Sequence, residues 1–290
     1  MSRTKINKVY VVGNLEEVKT TIRTSDSGKT YINGSIVIKT LVKNAETVVE
    51  MKILAFEKKV DGGINKQYDA FTKLEGMLHK KVKVSGRLQE GSMVNAQGEI
   101  VHFNEVYASF VNLAKTEDVE CSTFEYSGFV VRPLYELKNK NDELLGYRFE
   151  VAQANYNDSA MQVLKFDVDK DDINIANAID GNYTSGTTVK FGGSISYLTK
   201  TETKIEEVAF GDPIPKTLTT TIKTYRVTCG DQPFEEGGPE TYTKEEITKF
   251  IADYKTADAE RLAKAKEGTD TATNAGAAAV NKLTRPASLI

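Results

Sequence analysis

The stretch VKVSGRL (Val82 to Leu88) has a near copy, VKFGGSI (Val189 to Ile195), further along the same chain. In both, apolar side chains recur at every second residue, the period of a half-buried strand. Each copy sits at the same place in a longer order of elements. The chain therefore reads as a duplication.

Working outward from the first copy, INKVYVVGNL (Ile6 to Leu15) opens the chain as a strand, and a turn-rich TSDSGKT follows. YINGSIVIKT (Tyr31 to Thr40) alternates, with Ile32, Gly34, Ile36 and Ile38 on one face and Tyr31, Asn33, Ser35, Val37 and Lys39 on the other. In TVVEMKILAFE the core face is Val49, Met51 and Ile53, and the opposite face is Glu50, Lys52, Leu54 and Phe56. YDAFTKLEGMLHK carries Phe71, Leu74, Met77 and Leu78 at helical spacing. Then come Val82 to Leu88 and EIVHFNEVYASFVNL as two more strands. Three strands, a helix and two strands is the order of an OB-fold, a small, partly open barrel.

The second half repeats the order. FEYSGFVV echoes VYVVGNL, LGYRFEVAQA echoes the second strand, MQVLKFDV the third, and INIANAI stands where the helix stood. TIKTYRVTCG closes the set. The preceding stretch, Thr199 to Thr221, reads as a long loop or enlarged hairpin, because its GDPIP is incompatible with a central strand. Beyond Pro239, Thr243 and Glu246 have capping-box spacing, and Ile247, Phe250, Ile251 and Tyr254 form one apolar stripe that ends at Gly268. The last 22 residues, from Thr269, have no period and read as disordered. The expected fold is mainly β: two tandem OB-fold barrels (1–115 and 116–242, the second with a long hairpin between its fourth and fifth strands), then a C-terminal helix and flexible tail (243–290).

Charge divides the same way. Residues 1–115 hold 18 Lys+Arg against 12 Asp+Glu, residues 116–242 hold 12 against 22, and the remainder 8 against 7. A basic first module and an acidic second suggest different partners. No apolar run is long enough to span a membrane, and no apolar leader core opens the chain, so a cytoplasmic location is expected (a host's cytoplasm if the source is viral). Cys121 and Cys229 are read as buried thiols in a reducing compartment. With only His79 and His102, no zinc cluster assembles. DVDKDD (Asp167 to Asp172) lacks the glycine and the final glutamate of a calcium loop. No metal, cofactor or catalytic constellation is expected, and the chain reads as a non-enzyme.

In this order, INKVYVVGNL, DSGKTYINGSIVIKT, VEMKILAFEKK and KKVKVSGRL resemble, piece by piece, the bacterial-type single-stranded DNA-binding protein family. The resemblance covers about residues 1–112; the second half follows only through the internal repeat. It implies binding of single-stranded DNA with little sequence preference, in replication, recombination or repair, by a basic groove and rings on which bases stack. By alignment with the family, Phe56 is the stacking ring, Lys52 a basic position on its strand, and Arg3 and Lys8 the basic N-terminus. Arg23, Lys29, Tyr31, Lys39, Lys58 and Lys59 join them around the same strands, and Arg87, His102 and Phe103 lie on the fourth and fifth. The family stacks bases on tryptophans, of which this chain has none. It also ends in an acidic tail that recruits repair and replication enzymes, whereas here the end is LTRPASLI, with Lys282 and Arg285 nearby. Protein partners are accordingly assigned to the second barrel or the tail, and a homo-oligomer is left open. Two other readings stand beside this one: a structural or assembly protein that uses barrels for docking, and an RNA-binding module.

Overall fold

In the computed structural model, residues 3, 5–95, 97–154, 160–206 and 214–267 are described; of these, the side chains at 199–206, 214–220 and 266–267 are not. The tail from Thr269 and the helix stop at Gly268 lie outside them. The strands are β1 (Asn7–Thr24), β2 (Thr30–Val42), β3 (Ala45–Phe56), β4 (Lys81–Val94), β5 (Ile100–Leu113), β6 (Cys121–Lys138), β7 (Leu144–Ala154), β8 (Met161–Asp169), β9 (Thr188–Glu206) and β10 (Ile214–Gly230). The helices are α1 (Lys66–Phe71), α2 (Ile173–Asn182) and α3 (Lys244–Glu267).

Hydrogen bonding closes β1 to β2, β2 to β3, β3 to β5 in parallel, β5 to β4 and β4 back to β1. The same circuit recurs as β6, β7, β8, β10 and β9. These are two OB-fold barrels in tandem. The alternation read from the sequence sets their interiors: Ile32, Ile36, Ile38, Val49, Met51 and Ile53 are all buried.

The repeated glycines have a physical reason. A Cβ on Gly86 would fall 2.2 Å from the Tyr107 carbonyl oxygen, and one on Gly193 1.9 Å from that of Arg226. Both distances are far inside van der Waals contact, so only glycine lets β4 and β9 approach their neighbours. Gly13 and Gly128 form a second pair, where a Cβ would fall 2.2 and 2.1 Å from the carbonyl oxygens of Lys39 and Ala152.

The barrels are joined by their own first strands. β1 and β6 pair antiparallel from Asn7↔Tyr126 to Val12↔Cys121, which relates the halves by an approximate two-fold axis. Side chains follow the axis. Thr40 Oγ1, at the end of β2, donates to the carbonyls of Val12 and Cys121 (2.6 and 3.3 Å). Gln153 Nε2, at the matching end of β7, donates to those of Ser127 and Ile6 (2.7 and 2.8 Å). Thr47 ties β3 to Tyr197 of β9, and Asn104 ties β5 to Lys165 of β8. One apolar cluster runs from Val9 through Phe124 and Phe166 to Val227, so the two interiors are continuous.

Two expectations are corrected and one is met. The helical spacing after Tyr68 yields only six residues of α1 and then a 3₁₀ turn over Leu74–Met77, which together seat Phe71 and Leu74 in the core. The long hairpin expected from Thr199 is present: β9 and β10 continue as a two-stranded arm, paired from Thr199↔Thr221 to Glu206↔Ile214, with Pro215 near its tip. A proline is tolerated there because an arm of two strands has only edges. The cysteines are unpaired, but Cys229 is exposed and Cys121 only half-buried.

The capping box of α3 is formed: Thr243 N–H donates to Glu246 Oε2 (2.8 Å) and Glu246 N–H to Thr243 Oγ1 (3.2 Å). Its stripe packs Ile247, Phe250 and Tyr254 on Phe129, Ala152 and Val163 of the second barrel. From there the helix reaches the first barrel, where Tyr254 donates to Glu90 and Asp258 Oδ2 lies 3.0 Å from His102 Nε2. The helix is a strap across both barrels.

Candidate functional site

Strand register assembles one surface on the first barrel. Arg23, Tyr31 and Phe56 are successive partners across β1, β2 and β3, so all three point outward in one row. The rings of Tyr31 and Phe56 lie 5.6 Å apart and tilted by 48°. Phe56 ends β3 and keeps 42% of its surface exposed, a large apolar group held open to solvent. Asn65 fixes the backbone there by donating from Nδ2 to the Phe56 carbonyl (2.7 Å).

Two residues toward the barrel's middle comes Leu54, also exposed, and then a second row: Lys19, Ser35, Lys52, Tyr107 and Arg87. Lys52 Nζ is 3.9 Å from Glu105, to which the Tyr107 hydroxyl donates at 3.3 Å, and the Arg87 guanidinium sits 5.8 Å over the Tyr107 ring. Burial, reinforced by the Glu105 charge, raises the Tyr107 hydroxyl above the usual tyrosine range, so the ring is neutral. Lys39, the one cation of β2, is bound to Glu46 at 2.8 Å, an exposed pair whose hydrogen bond and charge raise the lysine's pKa.

Two loops frame the aromatic end. The turn Ser25–Lys29 carries Lys29, and the loop after β3 carries Lys58 and Lys59; the two are tied by Glu57 N–H donating to the Thr30 carbonyl (2.9 Å). Among the described residues, Arg23, Lys29, Lys58 and Lys59 are exposed and form no ion pair. Lys8 is exposed on β1, opposite Glu125 of the second barrel.

Three of the expected residues lie elsewhere. Arg3 is committed to the strap: its guanidinium donates to the Thr241 carbonyl (2.7 and 3.1 Å) and Glu246 (2.8 Å) and stacks 3.7 Å over Tyr242. His102 is held between Glu90 (2.6 Å) and Asp258 (3.0 Å) beneath α3. Its parity on β5 is that of Asn104, Val106 and Ala108, which face inward. Phe103 faces outward but opposes Gly91, four residues before Tyr107. Tyr107 itself is the residue that the sequence reading missed. Its signal was present, since buried Val106 and Ala108 flank it and force it to the outer face.

The matching row of the second barrel is Tyr135, Arg148, Asp167, Arg226 and Ser194. Here the cations are already neutralised. Arg148 Nε donates to Asp167 (2.7 Å), Arg226 lies 2.6 Å from Asp169, and Arg132 stacks 3.6 Å over Tyr135 beside Glu150.

Among solved structures, the wild-type single-stranded DNA binding protein from Thermus aquaticus is similar, with a TM-score of 0.52 at 12% identity, over 84% of this chain and 99% of that one. A deletion mutant of the same Thermus protein gives 0.51 at 13% identity, over 83% and 100%. At this identity the likeness is one of fold, and it spans both barrels. No curated protein matches the chain in sequence. The YorF family model does match, over residues 5–268, and the chain belongs to that family.

Proposed function

We propose that this chain binds single-stranded DNA with little sequence preference, coating and protecting it during replication, recombination or repair, without enzymatic activity. The observation that carries this reading is the outward-facing Tyr31–Phe56 pair at one end of the first barrel, Phe56 exposed and Tyr31 half-buried, bracketed by Arg23, Lys29, Lys58 and Lys59 with no ion-pair partner among the described residues. Unstacked bases present π faces that such rings accept, each worth about 1–3 kcal/mol, and the cations meet the phosphates. Tyr107 and Leu54 extend the apolar floor toward Lys52 and Arg87. The likeness to a protein described as a single-stranded DNA binding protein supports the same reading.

The first barrel supplies the site. In the second, carboxylates occupy the guanidinium groups of the equivalent row, and a phosphate would have to displace them. That barrel, together with the tail, is left to hold protein partners. A cytoplasmic location fits this role.

The test is fluorescence anisotropy of the full chain with labelled oligo-dT across a salt series. Binding that weakens log-linearly with salt supports the reading, with a slope of about −0.7 per neutralised phosphate. Absence of binding at low salt defeats it. Competition by RNA of equal length shows whether the site distinguishes the sugar.

A further inference from the structure

The loop between β3 and α1, Glu57 to Asn65, shows two aliphatic side chains to solvent. Val60 is 108% exposed and Ile64 80%, the two most exposed large apolar residues on the described surface. A single exposed apolar side chain is ordinary, but here two occur on a nine-residue loop whose shape is fixed. Lys58 and Ile64 form a β-bridge, Lys59 N–H donates to the Gly63 carbonyl (2.9 Å), and Gly62 N–H donates back to that of Lys59 (3.0 Å). Asp61 caps the turn by accepting from Gly63 N–H (2.9 Å). Gly62 has φ +83°, a conformation open to glycine at little cost. The loop is therefore a small, braced hairpin that holds Val60 and Ile64 outward.

Its base is the site already described. Phe56 immediately precedes it, and Asn65, which closes it, bonds the Phe56 carbonyl. Lys58, Lys59 and Lys66 flank the aliphatic pair in sequence, and all three are exposed without an ion pair among the described residues. The loop's two acids, Glu57 and Asp61, are exposed as well, with Asp61 turned onto Gly63 N–H. An apolar tip flanked by three unpaired cations fits a ligand that combines an apolar face with regularly spaced anions. A partner with a purely apolar surface would leave those ammonium groups desolvated and unpaired.

We propose that this loop is a further nucleotide subsite. It lies next along the strand after the Tyr31–Phe56 platform, with Val60 and Ile64 packing on a base or sugar while Lys58, Lys59 and Lys66 hold its phosphates. The proposal rests on the function inferred above and adds to it a length dependence. An oligonucleotide long enough to pass Phe56 gains the subsite, and a shorter one does not.

The experiment uses the full chain carrying Val60→Ser and Ile64→Ser, with labelled dT6 and dT20 as probes. Both side chains are in water, so the melting temperature should not change, and a thermal scan verifies that the fold is intact. The affinity for dT20 is expected to fall about three- to tenfold, the share of aliphatic burial lost. Affinity for dT6 should hold, and so should the salt slope, because no cation is removed. Unchanged dT20 affinity beside normal wild-type binding overturns the subsite alone, and the loop then serves a protein. Equal loss on both probes also overturns it, since the loop would then be acting on Phe56. A wild-type chain that binds neither probe defeats the underlying function instead.

Discussion

In the proposed function Phe56 and Tyr107 are rings of one platform on neighbouring strands, and they are not equally legible. Phe56 can be read twice over, from its parity on β3 and from the family's pattern. Tyr107 follows from parity alone, once Val106 and Ala108 are recognised as core. His102 shows the converse: a polar residue on the inward parity needs a built environment, and Glu90, Tyr254 and Asp258 provide one. None of those three is its neighbour in sequence, so no local pattern could announce it. Tyr107→Ala is expected to reduce oligo-dT affinity about fivefold or more, as for one lost stacking ring. The salt slope should change little, because the cations remain. Anisotropy at two salt concentrations measures both.

Among elements, strand alternation and the glycines carried most of the fold into the sequence, since each depends on contacts between adjacent strands. What stayed hidden depends on contacts between distant ones. The strap α3 displayed its apolar stripe and its cap, but the surface that covers the stripe is set by β6, β7 and β8 together. The family's pattern puts Arg3 in the groove, yet it belongs to this strap. Arg3→Ala should destabilise the chain by about 1–3 kcal/mol, the cost of removing a charged donor from partly buried acceptors. Hydrogen exchange should then quicken first in the turn at Thr241 and the first turn of α3. Oligo-dT affinity should be nearly unchanged, which separates a bracing role from a binding one.

At the scale of the whole molecule, the two barrels share a core and a strand pairing, so neither is a free-standing module. Tyr197 and Tyr225, in the junction, show the consequence. Their hydroxyls lie 3.2 Å apart, and that of Tyr225 donates to the Asn104 carbonyl across the barrels (3.1 Å). Burial raises both above the usual tyrosine range, and burial with the Asp231 charge pushes Tyr183 up to about 12. A raised folded pKa means that the unfolded chain loses these protons first. Stability is then full below the unfolded value of about 10 and falls as pH climbs above it. Melting temperature should decline steeply above about pH 10, with the tyrosinate absorbance of these buried rings appearing together with unfolding. The electrostatic contrast between barrels was visible as net charge, whereas the pairing of Arg148 and Arg226 with carboxylates required the register. The most direct test compares the wild-type chain with Phe56→Ala in salt-titrated oligo-dT binding. The expected result is salt-dependent binding by the wild type and a loss of about five- to a hundredfold in the variant, with its melting temperature preserved. Equal affinities for the two proteins would contradict it.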